Sequence, residues 1–397
     1  MQTEAGKQRR VAKLPRPAGT NRVEWLARAL YHSGGLGILQ KLSQAYELRT
    51  DSKRALPRWR RVAGPRFVIL CYHRVGTGGV PLYSELPPEL FEAQIRFLRE
   101  RYRIVSLDTL CKELQNPKAA DQSVAITFDD GYRDLYTAAF PTLQKYGVPA
   151  TIFVTVGAIE TGEVLWYDRV FLALEVAPST ELTLQLDRAR RFDLSTAAVR
   201  LRSALELVQC LRRLPDARRK ECCAELERQI ALPQEELIDR MLTWEQIRTM
   251  HGAGIAFGSH TLTHPVISQL TPAEMERELR ESKQILEEKL DSPVRDFAFP
   301  FGQMADCGTA AGAVLAGCGY RSAATTIWGV NVPGANPYQL RRVQIGDEGS
   351  LAMFAFRLGQ LFLVAAEEEP GTESLAGLRP PEKEVAGAAE KEFARLR

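Results

Sequence analysis

The sequence predicts an α/β fold of parallel strands joined by crossover helices, arranged as a TIM-like barrel. Two observations predict it. From residue 66 onward, short apolar, β-branched runs alternate with helical segments, a rhythm that calls for parallel strands with helices between them. The residues best suited to chemistry stand at the C-terminal ends of such runs, where barrels of this kind carry their active sites.

Taken in order, residues 1–20 read as a disordered tail. Residues 23–48 read as helix, with Trp25, Leu26, Leu30, Leu36, Leu39 and Leu42 on one apolar face and an interruption at Gly34-Gly35. A basic stretch, 53–66, follows. This N-terminal part, residues 1–60, suits either a helix packed on the body with a basic linker or a peripheral contact with an anionic membrane surface. The body, residues 61–367, opens with a strand at 66–73. A helix at 88–101, a strand at 124–128, a helix at 134–146 and a strand at 150–156 continue the alternation. Residues 160–243 break it. The segment 175–236 is rich in Leu, Arg, Ala and Glu, with Leu201, Leu205, Val208 and Leu211 at helical spacing. We expect a helical insertion, acting as a cap, a partner surface or an embellishment of the rim. Thr271-Pro272 opens a helix through 290, with an N-cap residue followed by proline at the first position. Residues 351–366 form a mostly apolar helix expected to close the barrel bottom, with membrane contact or partner docking as alternatives. Residues 368–397, rich in Glu, Ala, Pro and Gly, read as a mobile tail.

The most informative stretch is Val124-Ala125-Ile126-Thr127-Phe128-Asp129-Asp130-Gly131-Tyr132. A buried strand ends abruptly in two adjacent carboxylates, which resist joint ionisation unless something positive holds them. A bound metal ion is one remedy. An ordinary Asp130-Gly131 turn, with Asp129 capping the next helix, is the alternative. The second stretch is Gly258-Ser259-His260-Thr261-Leu262-Thr263-His264-Pro265. It carries two of only five histidines in the chain, four residues apart. Pro265 disfavours helix at His264, so a tight turn fits. Two neutral imidazoles plus one carboxylate give three ligands with an open fourth position, which suits catalytic zinc. The competing reading is a chance pair of structural rings. A glycine-ended apolar run, Ile255-Ala256-Phe257-Gly258, delivers this pair much as the first strand delivers the acids.

With a third segment, Phe297-Ala298-Phe299-Pro300-Phe301-Gly302, these motifs resemble the polysaccharide deacetylase (NodB-homology) family of carbohydrate esterases. Cys71-Tyr72-His73-Arg74-Val75 is similar to the YHxV opening of one large bacterial branch, and the likeness runs over about residues 66–350. The resemblance implies a distorted barrel with fewer than eight strands. It implies that Asp130, His260 and His264 bind a divalent metal, most simply zinc, and that Asp129 is the general base. It also implies that the backbone N–H of Phe301, after Pro300, helps hold the oxyanion. Two departures stand out. Many relatives carry an arginine supporting the catalytic aspartate where this chain has Ala298, and many carry a late histidine as general acid where this chain has Leu340-Arg341-Arg342. The YHxV branch makes His73 the candidate acid, with a structural histidine at a strand end as the alternative. Asp296, Asp306 and backbone carbonyls are available to orient the site histidines. Arg341-Arg342 reads as a solvated pair at a strand end, with contact to an anionic or phosphate group as the alternative.

Phe297, Phe299, Phe301, Trp166, Trp244 and Trp328 each suit ordinary core packing, with a platform for a sugar ring as the less common alternative. Trp328, at the entry to a loop, is the best platform and, with Pro300, the expected substrate contact. A net charge of +3 is too weak to argue for nucleic acid. No zinc-finger spacing, P-loop or dinucleotide fingerprint appears. Seven cysteines without a CxxC suggest free thiols in a reducing compartment. The N-terminus does not read as a secretory signal, and no apolar run reaches the roughly 20 residues that span a bilayer. The expected location is the cytoplasm, with peripheral contact to the inner membrane as an option. The expected function is metal-dependent removal of N-acyl groups from an amino sugar or polysaccharide. The alternatives are a related C–N hydrolase acting on a small or lipid-linked sugar, and a catalytically silent carbohydrate-binding protein on the same fold.

Overall fold

The computed structural model describes residues 65–76, 85–116, 122–232, 240–346 and 349–363. The helix expected at 23–48, most of the basic stretch and the tail at 368–397 lie outside the described residues. The body and the helix Leu351–Leu363 fall in two separate units and are taken one at a time.

Ten strands occur in chain order among the described residues: β1 (Phe67–Tyr72), β2 (Arg103–Ile104), β3 (Ser123–Phe128), β4 (Thr151–Val154), β5 (Glu181–Gln185), β6 (Ala189–Asp193), β7 (Ala256–Ser259), β8 (Asp296–Ala298), β9 (Ser322–Ala324) and β10 (Val343–Gln344). The main sheet runs β10-β1-β3-β4-β7-β8-β9, with β2 alongside the start of β3. Every pairing in it is parallel. A single parallel bridge, Ala324 to Leu340, links β9 to the segment entering β10. The result is the expected distorted (β/α) barrel, but with β2 its sheet has eight strands and not fewer. All residues of β1 and β3 are buried, which explains their mostly apolar composition, because a parallel strand covered on both faces has no solvent side to make polar.

The crossover helices follow the sequence closely. Pro88–Arg101 begins at its proline, and Pro272–Leu290 begins with Thr271 as N-cap and a complete capping box to Glu274. Trp244–Gly252 has the same box between Thr243 and Gln246. The insertion is only partly helical. It holds the helices Trp166–Val176, Ala197–Arg212 and Asp216–Gln229, but between the first two lies an antiparallel hairpin, β5 with β6. Its strands alternate: Leu182 and Leu184 are buried between exposed Glu181, Thr183 and Gln185. That two-residue period was submerged in the Leu-, Arg- and Glu-rich composition around it.

The helix expected at 351–366 is described over Leu351–Leu363, and residues 364–366 lie outside the described residues. Among the described residues no helix is long and apolar enough to cross a membrane.

Candidate metal centre and active site

The DDG segment sits where β3 ends. Asp129 is tied to the neighbouring strand by its N–H, which donates to the Tyr72 carbonyl at 3.0 Å. The chain then turns sharply: Asp130 has φ 73° and Gly131 φ 90°. A Cβ at Gly131 would lie 2.9 Å from Val154 Cγ1, so only glycine fits. Gly258 does the same service for β7, since a Cβ there would run into Phe153 and the Asp296 carbonyl.

After β7 the chain is not helical. Thr261 and His264 both have positive φ, 71° and 57°, and the turn is fastened from outside. Glu278, buried on the helix Pro272–Leu290, accepts from the N–H groups of Leu262 and Thr263, both at 2.9 Å, and from the Thr263 hydroxyl at 2.7 Å. Thr261 Oγ1 accepts from the His264 N–H at 2.9 Å.

These two strand ends bring Asp130, His260 and His264 together, each almost fully buried, with one ligand atom apiece lying within 4.8 Å of the others. Asp130 Oδ1 is 3.4 Å from Nε2 of each histidine, longer than a good charge-assisted hydrogen bond. Asp130 Oδ2 is buried with no hydrogen-bond partner. His260 Nδ1 donates to the Ala298 carbonyl at 2.8 Å, so in the neutral ring Nε2 carries the lone pair. Burial drives the His264 pKa down to about 4 and keeps that ring neutral. Burial also opposes a proton on His260, but Asp129 and Asp130 outweigh it and raise its pKa. The Nε2 atoms of both rings thus converge on Asp130 Oδ1, and Asp130 Oδ2 and His264 Nδ1 are left without partners. That donor set fits a divalent cation.

Asp129 is handled differently. Arg342 donates Nη1 to its Oδ1 at 2.7 Å and Nη2 to its Oδ2 at 2.6 Å, while its Nε donates to the Thr325 carbonyl at 2.7 Å. The arginine is completely buried. Burial alone would raise the pKa of Asp129, but Arg342 and then His260 prevail, and it is lowered. Arg342 is therefore no solvated pair member at a strand end. It pairs with Asp129 from the residue just before β10, far along the sequence from Ala298. Cys71 also approaches Asp129, with its thiol 3.4 Å from Oδ2, and burial raises that thiol's pKa.

His73, just past β1, is half-buried and lies with Cys71 and Asp129 in a second cluster of ligand-type atoms. Burial lowers its pKa, with Asp130 and Asp129 pulling the other way. Phe301 has φ 59°, and no acceptor for its backbone N–H occurs among the described residues. Pro300 before it is buried. Trp328 is half-buried in the loop after β9. That loop is joined to the Phe301 loop, because Thr326 N–H donates to the Gly302 carbonyl at 2.9 Å and Gln303 Nε2 donates to Thr326 Oγ1 at 2.8 Å. Phe297 and Phe299 are fully buried core rings. The carboxylates once available to orient the histidines are engaged elsewhere: Asp296 with Arg321 and Asp306 with Arg212.

The insertion, expected as a cap, a partner surface or a rim embellishment, reaches the histidine turn directly. Trp166 donates its indole N–H to the His264 carbonyl at 3.0 Å, and the Tyr167 ring lies edge-on to the His264 ring, 5.0 Å away. Asp168, fully buried, accepts from the Tyr132 hydroxyl at 2.7 Å. Only the Trp-Tyr-Asp run opening the first insertion helix hinted at it, by combining large aromatics with an acid.

Comparison with known proteins agrees with this geometry. Residues 116–322, about half of the chain, match the family model for polysaccharide deacetylase. The chain belongs to this family. A putative polysaccharide deacetylase of Bacillus subtilis, YxkH, is 36% identical over 99 residues, which cover 24% of this chain and 34% of the relative. The poly-β-1,6-N-acetyl-D-glucosamine N-deacetylase of Staphylococcus epidermidis is 32% identical over 102 residues, 22% of this chain and 35% of the relative. The matched segments thus span about a third of the length of these curated relatives. Among solved structures, the Streptococcus pyogenes deacetylase PplD superposes with a TM-score of 0.50 at 20% identity, covering 77% of this chain and all of that one, a likeness of fold.

Proposed function

We propose that this member of the family is a metal-dependent N-deacetylase that acts on an acetylated amino sugar within a polysaccharide, with zinc as the ion. The observation that carries the reading is the buried Asp130–His260–His264 triad beside a separate carboxylate, Asp129, kept ionised by Arg342. Asp130 and the Nε2 atoms of His260 and His264 would hold the ion. A divalent ion there lowers the pKa of a water to roughly 7 and so provides hydroxide at neutral pH. Asp129 takes the proton from the attacking water, a task suited to a carboxylate held charged. The Phe301 N–H stabilises the oxygen that becomes negative at the former carbonyl. His73, at the same strand ends, supplies the proton to the departing amine. Its lowered pKa leaves the resting ring neutral near pH 7, so it gains that proton during the cycle. Trp328 offers its half-exposed ring to a sugar face.

The named activity of the Staphylococcus epidermidis relative supports an N-acetylglucosamine polymer as the substrate class. The burial of Arg342 against Asp129 weakens the catalytically silent reading, whose main support was the missing arginine at Ala298. All seven cysteines are free, which supports a reducing, cytoplasmic setting.

The test is acetate release by zinc-loaded protein from a panel of N-acetylated oligosaccharides, nucleotide sugars and lipid-linked sugars. Release from β-1,6-linked N-acetylglucosamine oligomers is expected. No acetate from any member of the panel overturns the reading. His73→Ala should depress kcat with metal content unchanged, and an unaltered kcat removes His73 from the reaction.

A further inference from the structure

Phe301 is a bulky residue in the left-handed backbone region, at φ 59°. Such a conformation is unfavourable and persists only where the surroundings over-determine it. Most of what surrounds its ring comes from the insertion. Trp166 and Tyr167 lie 5.9 and 6.0 Å from it, centre to centre, and His264 of the barrel lies at 5.1 Å. The closest grip is that of Arg212, the last residue of the helix Ala197–Arg212. Its guanidinium carbon sits 4.1 Å from the centre of the Phe301 ring. The same guanidinium reaches past the ring: Nη2 donates to Asp306 Oδ1 at 3.1 Å and to Oδ2 at 3.0 Å. Asp306 in turn accepts from the Gln303 N–H at 3.0 Å. One side chain from the insertion therefore holds the Phe301 loop at two points, the ring of Phe301 and the carboxylate five residues later. A second arginine backs it, since Arg219, almost fully buried, lies 4.7 Å over the Trp166 ring.

We propose that Arg212 is a positioning residue, which clamps Phe301 in its left-handed conformation so that the Phe301 N–H stays available to the oxyanion. The insertion is then a working part of the active site and not a decoration of the rim. The proposal rests on the deacetylase reading for its kinetic consequence, but not for its structural one. A guanidinium over an aromatic face gains electrostatic as well as packing energy, and its flat fork can hold a carboxylate at the same time. A neutral side chain of similar length keeps the packing and loses both.

The test uses the full chain loaded with zinc and compares Arg212→Met with the parent. Arg212→Lys, which keeps the charge, serves as the milder counterpart should the methionine variant fail to fold. Expected are one equivalent of zinc in each protein, KM for an N-acetylglucosamine oligomer within about 2-fold, and kcat lower by 10-fold or more for methionine and by less for lysine. Loss of one oxyanion donor is worth on the order of 10²–10³ in kcat. In a Phe301→Leu background the Arg212→Met change should have little further effect on kcat. An unchanged kcat, a loss confined to KM or to zinc content, or losses that multiply in the double variant would each overturn the clamp. A crystal structure of zinc-loaded Arg212→Met judges it without any turnover: Phe301 should leave the positive-φ region or populate two conformers. Phe301 fixed near its present φ would refute the proposal even if no substrate is ever found. Absence of acetate release by the parent protein would count against the deacetylase reading alone.

Discussion

Two clusters of similar composition lie side by side at the strand ends, and they solve their electrostatics in opposite ways. Asp130, His260 and His264 leave Asp130 Oδ2 without a partner, while both ring Nε2 atoms stand 3.4 Å from Oδ1. Asp129, with Cys71 and His73 beside it, has both carboxylate oxygens filled by a buried guanidinium. The first cluster lacks a positive charge and the second already has one. An inventory of histidine, cysteine and aspartate therefore does not define a metal site. Whether the donor atoms are already satisfied by the protein decides it. The same contrast separates two adjacent aspartates: Asp130 keeps an unpartnered oxygen, while both oxygens of Asp129 are engaged by Arg342.

The comparison can be broken in several ways. The largest effect is expected from Asp129→Asn, which removes the base while leaving the triad intact. Turnover should fall by roughly 10²–10⁴-fold with zinc still bound, measured as amine release beside metal content. Next comes Arg342→Met, which strands Asp129 as a buried, uncompensated charge. Removing one partner of a buried pair costs about 3–5 kcal/mol, read as a lower midpoint in urea. The Arg342→Met, Asp129→Asn double variant should recover much of that loss, because the lone charge is gone; failure to recover would show that the pair is not the unit drawn here.

An effect of similar size, spread over pH, belongs to Asp168. Burial lifts its pKa from 3.8 to about 7, the Tyr132 hydrogen bond notwithstanding. A carboxyl whose pKa is higher in the folded state binds its proton more tightly there. Stability is then greatest at low pH and is lost as pH rises between about 4 and 7. At 1.36 kcal/mol per unit the full loss is of the order of 4 kcal/mol. Asp168→Asn, which keeps an acceptor for Tyr132, should match the parent below about pH 4 and exceed it above pH 7. Parallel stability curves for the two proteins would contradict the assignment.

Much of the barrel was legible because local signals and tertiary demands coincide there. The β3 run is mostly apolar since both faces are covered, and Thr271-Pro272 carries its own start signal. The triad was legible because two motifs, each ambiguous alone, end matching strands. The hairpin Glu181–Asp193 was hidden by composition, its alternation too short to stand out among helical neighbours. Arg342, Glu278 and Arg212 were invisible for a different reason. Each acts on a motif at least 15 residues away along the chain, and nothing in their own surroundings marks them. An arginine in Arg341-Arg342 reads as solvated until the fold places a buried carboxylate opposite it.

The most direct test is calorimetric titration of metal-stripped protein with zinc, run on the parent and on Asp130→Asn and Asp129→Asn. One equivalent should bind to the parent and to Asp129→Asn, and none with comparable affinity to Asp130→Asn. Loss of zinc from Asp129→Asn, or its undiminished retention by Asp130→Asn, would contradict the division between the two aspartates.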